Sequence, residues 1–210
     1  MKMDIPKKIK ETIQENNAIP LFYIESGSRL WRMASPDSDF DVRGFHLPSK
    51  QDYFDFKKRQ DVIEKMDGDF DFSSFTLDKM FGLLVKSNAT IFEWVRSDIC
   101  YLNEFPSWED FQQGLNANID FRALFYHYLY LAANTYELMA SDKKFTYKTA
   151  LYCIRGLLSA KMALERILPP LIIHDLFNEV GSGNSIVQIG QNCYLNKKDQ
   201  SEKQPVPVRP

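Results

Sequence analysis

Ile5, Ile9 and Ile13 recur every four positions through a charged N-terminal segment, which predicts an amphipathic helix over residues 4–16, ending at Glu15-Asn16-Asn17. Its apolar stripe needs a sheet to pack on. Ile19 to Ile24 is an apolar run rich in β-formers and too short for a helix, and it stops at Ser26-Gly27-Ser28. This predicts a strand feeding a tight turn. From Ser38, Phe40 and Val42 alternate with Asp39, Asp41 and Arg43, and the period of two continues through Gly44-Phe45-His46-Leu47 to Pro48. Asp39 and Asp41 are therefore expected on one face of a second strand. Residues 61–65, a turn at Asp67-Gly68 and the alternating Asp69-Phe70-Asp71-Phe72 predict a hairpin.

Thr76 can cap a helix over Leu77–Lys86, whose Met80, Phe81, Leu84 and Val85 have the spacing of a buried stripe. A short helix over Thr90–Val95 and a last strand over Ile99–Phe105 complete an α+β unit, with a mixed sheet flanked by helices, that we bound at residues 1–104. Beyond it Phe121, Leu124, Phe125, Tyr128, Leu131 and Ala132 repeat with helical period, as do Tyr147, Leu151, Ile154 and Leu158. Two long antiparallel helices, and a short one over 172–180 after Pro169-Pro170, make up a helical region of residues 105–180. Residues 181–210 end in the charged, proline-rich QSEKQPVPVRP and read as a largely flexible tail.

The net charge of -2, from 26 Lys+Arg against 28 Asp+Glu, argues against nucleic-acid binding through bulk positive charge, so any polyanion must be met by a local patch. Cys100, Cys153 and Cys193 are odd in number and show no CxxC spacing, which suggests neither a disulfide framework nor a zinc site. The N-terminus is charged and lacks an apolar core of the signal-peptide kind, and no run approaches the roughly 18 apolar residues that span a bilayer. The expectation is a soluble cytoplasmic protein with no membrane partner.

The chemistry concentrates between Gly27 and Gly44. Alternate carboxylates on a strand lie about 6.6 Å apart along the backbone and point the same way. Asp39 and Asp41 thus suit two divalent cations, which two-metal phosphoryl chemistry holds roughly 3.5 to 4 Å apart. Magnesium, or manganese in its place, prefers such oxygen ligands together with substrate phosphates. Gly27 lets backbone approach a phosphate, and Ser28 offers a hydroxyl and an N–H beside it. The competing reading makes Gly27-Ser28 a plain turn and Asp37, Asp39 and Asp41 solvated acids. On the later helix Lys148, Tyr152 and Arg155 fall on one face, so cations could converge on phosphates there, as could Arg43 on its strand; a solvated helix edge is the alternative. His46, His127 and His174 make no metal-ligand spacing and read as structural or surface histidines.

The run GSRLWRMASPDSDFDVRG resembles the signature of the DNA polymerase beta-type nucleotidyltransferase superfamily, and specifically of the RlaP-like predicted nucleotidyltransferases associated with RNA repair. DFDFSSFTLDKMFGLLVKSNATIFEWVRS and YKTALYCIRGLLSAKMAL are similar to later parts of the same pattern. The resemblance implies a polymerase-beta-like catalytic domain followed by a helical region. It also implies Asp39, Asp41 and Asp71 as metal-binding and catalytic carboxylates, with Asp71 helping to deprotonate the attacking hydroxyl. Asp69 is the rival third acid. Relatives commonly carry Tyr-Gly where this chain has Trp31-Arg32, and often a His where Tyr152 stands.

The reaction implied is transfer of an NMP from an NTP to a hydroxyl acceptor: an RNA end, a tRNA, a protein or a small molecule. Two alternatives use the same residues, a catalytically decayed NTP-binding or protein-interaction module and a metal-dependent phosphohydrolase.

Overall fold

Asp4 accepts a hydrogen bond from the Lys7 N–H at 3.1 Å and Pro6 sits in the first turn, so helix α1 (Ile5–Glu15) starts where its free N–H groups are best relieved. The computed structural model describes residues 3–55, 60–115, 119–141 and 145–197. Its strands are β1 (Ala18–Glu25), β2 (Phe40–Pro48), β3 (Val62–Asp67), β4 (Phe70–Thr76) and β5 (Cys100–Asn103). They form one mixed five-stranded sheet in the order β3-β4-β2-β1-β5. Every neighbouring pair is antiparallel except β2 and β4, which run parallel with Asp41 opposite Asp71 and Gly44 opposite Ser74.

The chain divides into two compact units. The first comprises residues 1–30, 39–86 and 90–119 and holds the sheet. One face of that sheet, through Tyr23, Val42, Ile63, Phe70 and Phe72, packs on Ile5, Ile9 and Ile13 of α1. The other face, through Phe22, Ile24 and Phe45, packs on α4 (Leu77–Val85), α5 (Ala89–Val95) and α6 (Trp108–Leu115), with Trp94 and Trp108 at its centre. Period-two burial in β4 follows directly from the Asp-Phe alternation of its sequence. Trp94 is buried against Phe45 and Phe75.

Residues 31–38, 87–89 and 120–210 form the second unit. Helices α7 (Phe121–Ser141) and α8 (Tyr147–Leu164) form its hairpin, joined by α9 (Ile173–Val180). The segment read as a flexible tail is different: Ser185–Lys197 is a helix, α10, that buries Val187 and Lys197 and packs on α8 and α9. Its apolar residues are interrupted by Gly190 and two asparagines, so helical periodicity is weak along it, and tertiary packing supplies the order. The terminal QSEKQPVPVRP lies outside the described residues. Two further helices had little or no sequence reading: α3 (Lys50–Phe54), which buries nothing and is capped by Ser49, and α6. Two short pieces complete the motif region: α2 (Gly27–Leu30) after β1, and the segment Trp31–Ser38 in the second unit. Among the described residues no helix is long and apolar enough to cross a membrane.

Candidate active site

The parallel register of β2 and β4 sets Asp41 directly beside Asp71, with Arg43 two residues along on the same face of β2. Arg43 Nη2 donates to Asp41 Oδ1 at 2.9 Å and to Asp71 Oδ2 at 2.8 Å, and Nη1 donates to Asp71 Oδ1 at 3.1 Å and to the Asp71 carbonyl at 2.7 Å. Two carboxylates therefore converge on a single cationic nitrogen. All three side chains are partly open to solvent, at 16% exposure for Arg43, 26% for Asp41 and 32% for Asp71. Like charges this close repel unless a cation lies between them, and a forked guanidinium suits that place. Arg43, expected on phosphates, is in the structure engaged with the acids. An open groove of about 580 Å³ continues along this face, lined by Arg43, Asp71, Ser73, Phe75 and Trp94 among others.

Gly27 closes the other side of Asp41. Its φ of +61° lies in the left-handed region, and a Cβ placed there would stand 2.0 Å from Asp41 Oδ2. The glycine expected to let a phosphate approach is thus already required by the carboxylate beside it. Ser28 follows in α2, with its residue 3% exposed. Ahead of the glycine, Ser26 N–H donates to the Asp41 carbonyl at 2.8 Å. Glu25, which has no exposed surface, accepts from Asp41 N–H on Oε1 at 2.9 Å and from the Tyr101 hydroxyl on Oε2 at 2.5 Å. Burial pushes the Glu25 carboxyl above the usual range. The hydrogen bonds from Tyr101 and from Asp41 N–H oppose the rise, while the charge of Asp41 adds to it and that of Arg29 offsets it. Burial, and then the bond to Glu25, likewise raise the Tyr101 phenol.

The remaining sequence candidates fall into three places. Asp39 stands exposed one residue ahead of β2, and its carbonyl accepts from Arg29 Nε at 3.0 Å. Asp69 lies in the β3–β4 turn, its carbonyl accepting from Phe40 N–H at 2.7 Å, whereas Asp71 is the acid in register with Asp41. Lys148, Tyr152 and Arg155 are on α8 in the helical unit. There Arg155 is 3% exposed and its guanidinium lies 3.6 Å from the centre of the Trp31 ring, with Tyr152 edge-on to the same indole at 5.1 Å. Lys148 Nζ is 5.9 Å from the Tyr152 ring. Arg155 is therefore a buried stacking partner of the motif tryptophan, neither a solvated edge nor an open cation. Ile173 N–H and Lys197 Nζ donate to the carbonyls of Trp31 and Met33, which fixes the backbone between Leu30 and Asp39. Glu25 and this anchoring of Trp31 are what sequence reasoning missed. The only hint of the first was a charged residue ending an otherwise apolar strand.

Among the described residues no group of three or more His, Cys, Asp or Glu side chains stands ready to hold a metal ion. The donor set nevertheless fits a hard divalent cation in chemistry, because the groups that converge are carboxylate oxygens, and a positively charged nitrogen already bridges two of them.

A family model described as RlaP, RNA repair pathway DNA polymerase beta family, matches residues 1–209. An uncharacterised protein of Bacillus subtilis, YcgL, is 31% identical over 182 residues, 86% of this chain and 70% of the relative. An uncharacterised protein of Methanocaldococcus jannaschii, MJ0002, is 32% identical over 152 residues, 70% of this chain and 61% of the relative. A nucleotidyltransferase-like protein from Exiguobacterium sibiricum superposes with a TM-score of 0.35 at 11% identity, over 93% of this chain and 73% of that one. With a match that runs almost the full length, the chain belongs to the RlaP family, a nucleotidyltransferase-type family of the polymerase beta kind.

Proposed function

We propose that this chain is a metal-dependent nucleotidyltransferase that moves a nucleoside monophosphate from an NTP to a hydroxyl acceptor, with an RNA end as the favoured acceptor. The observation that carries the reading is the convergence of Asp41 and Asp71 on one cationic nitrogen. The family description supplies the link to RNA. Bound Mg²⁺ or Mn²⁺ would supply charge neutralisation at the phosphates and at the attacking and leaving oxygens.

In this reading Asp39, Asp41 and Asp71 would hold the cations, and Ser28, beside Gly27, would donate to the triphosphate. With positive charge supplied there by bound cations, Arg43 would be free to release the acids and meet the phosphates. The acceptor approaches along the groove past Ser73 and Phe75. Its hydroxyl oxygen forms a bond to the α-phosphorus, the bond from that phosphorus to the bridging oxygen breaks, and pyrophosphate leaves. The hydroxyl proton goes to Asp71, which can act as a base only once Arg43 has released it.

A second reading, an NTP-binding module without catalysis, is favoured by one observation: the arginine fork already occupies both acids. Purified protein with Mg²⁺ or Mn²⁺, labelled NTPs and either RNA or protein acceptors separates the two. The enzyme reading expects label on the acceptor from the wild type and none from the triple Asp39→Ala, Asp41→Ala, Asp71→Ala variant. Equal label from both, with NTP still bound by the wild type, leaves the non-catalytic module. Label on protein in place of RNA would keep the enzyme and change its acceptor.

A further inference from the structure

Asp41 is held at three points by three consecutive residues. Glu25 accepts from its N–H, Ser26 donates to its carbonyl, and Gly27 leaves the space its carboxylate fills. The β1–β2 ladder ends at the pair Glu25 and Val42; one backbone bond beyond it, from Ser26 N–H to the Asp41 carbonyl, persists, and Asp41 N–H is met by the Glu25 side chain where β1 turns away into α2. A side-chain carboxylate takes the place of the missing strand. Glu25 is itself fixed on every side: its N–H donates to the Ile99 carbonyl at 2.9 Å, its carbonyl accepts from Ser97 Oγ at 2.8 Å, and its second carboxylate oxygen takes the Tyr101 hydroxyl. A fully buried carboxyl is costly unless its oxygens are bonded, and here each has a donor.

We propose that Glu25 is a positioning residue of the candidate site. It fixes the backbone of Asp41, and through it the direction of the Asp41 carboxylate toward Asp71. The inference rests on the metal-dependent reading above, and it adds a fourth acid that touches neither metal nor nucleotide. If Asp41 N–H lost its acceptor, a donor would be stranded at the end of β2 and the strand end would loosen. The two carboxylates would then lose the common point on which they converge. Outer partners of this kind are worth about 10- to 100-fold in metal affinity.

The test uses the full chain and Mn²⁺ alone as the probe, followed by water-proton relaxation, with NMP transfer measured in parallel. Glu25→Leu keeps the size and removes the acceptor. Glu25→Gln keeps an acceptor for Asp41 N–H and a group that can bond Tyr101. Tyr101→Phe removes only the second bond. Glu25→Leu is expected to weaken Mn²⁺ binding by about tenfold or more, and to lower kcat while KM for the NTP stays within about twofold. Glu25→Gln and Tyr101→Phe should stay within about threefold of wild type, since neither strands Asp41 N–H. If circular dichroism shows Glu25→Leu unfolded, Glu25→Asp replaces it with the same expectation, its carboxylate being one methylene short of Asp41. Mn²⁺ binding by the acceptor-deficient variant within about twofold of wild type overturns the role of Glu25 and leaves the metal site standing. A Glu25→Gln protein as weak as Glu25→Leu also overturns it, because charge and not the acceptor would then matter. A wild type that binds no Mn²⁺ overturns the metal reading and this inference together.

Discussion

Strands β2 and β4 carry two polar clusters that invite comparison, Asp41–Arg43–Asp71 on one face and His46–Ser74–Tyr23 on the other. In the second, the Tyr23 hydroxyl and His46 Nδ1 each lie 2.8 Å from Ser74 Oγ, and all three residues are buried. The Tyr23 side chain crosses Gly44 to reach Ser74, where a Cβ on the glycine would stand 2.4 Å from the ring. Neutral groups there bond one another through the Ser74 hydroxyl, out of contact with solvent. The first cluster has two negative groups on one positive group and stands partly in solvent. One register sets both, since Asp41 faces Asp71 and Gly44 faces Ser74. The difference teaches that polarity on this sheet serves the fold where it is neutral, closed and buried, and stays open to solvent, as the proposed function requires, where it is charged and unbalanced.

The largest effect that could break this comparison belongs to Asp41→Asn. It preserves shape and removes one charge, so transfer of label from NTP should fall by at least about 10³-fold, several kcal/mol of transition-state stabilisation. Thermal unfolding should move little, because a partly exposed ion pair contributes only about 0 to 1 kcal/mol. A large fall in unfolding temperature with activity intact would make the acids structural and erase the contrast.

The neutral cluster should respond to pH where the charged one responds to ligands. Burial lowers the His46 pKa from 6.5 to about 4, and the charge of Asp61 only partly opposes it. Between those values the unfolded chain binds a proton that the folded chain refuses. Stability is thus fully present above about pH 6.5, declines as pH falls toward 4, and levels off below, for a total of about 3 kcal/mol. Urea unfolding at pH 7 and pH 4.5, wild type against His46→Gln, measures this. The variant should lack that part of the acid sensitivity, and equal slopes in the two proteins would show that His46 is not the group responsible.

Much of this contrast could be read from residue types alone. Alternation of acid and phenylalanine places Asp41 and Asp71 on strands, and it needs no tertiary knowledge because the period of two is local. In the sequence only the family resemblance separates Asp71 from Asp69. The parallel register that puts Asp71, and not Asp69, beside Asp41 is a property of two strands separated by a hairpin, which no local pattern encodes. Glu25 was illegible for a related reason: a charged residue closing a strand is ordinarily solvated, and only the neighbouring β5 and the end of the ladder bury it. Helix α10 escaped because its order comes from packing on α8 and α9.

The counter-ion of the charged cluster offers a sharper test. Metal and Arg43 compete for the same two carboxylates, so Arg43→Met should tighten Mn²⁺ binding by about tenfold, equivalent to about 1.4 kcal/mol. The metal-free protein should lose about 1 kcal/mol of stability or less, as the side chains are partly exposed. Weaker Mn²⁺ binding would instead make Arg43 a brace that aligns the acids.

The smallest effect is expected at Arg32, between the two halves of the motif, where the resemblance implies glycine. Its φ of +58° favours glycine there without appeal to phosphates, because a residue with a Cβ is strained in the left-handed region. Relief of that strain is worth about 1 to 2 kcal/mol, and the extra freedom glycine gives the unfolded chain takes back about 0.5 to 1 kcal/mol. Arg32→Gly should therefore stabilise by about 0.5 to 1 kcal/mol, a rise of a few degrees at most in unfolding temperature for a chain of this size. Transfer activity should be unchanged if the arginine matters only through its backbone. A lower unfolding temperature would mean that contacts of the Arg32 side chain outweigh the strain. A fall in activity at unchanged stability would place its charge among the groups that meet the phosphates, and so enlarge the charged cluster at the expense of the contrast drawn above.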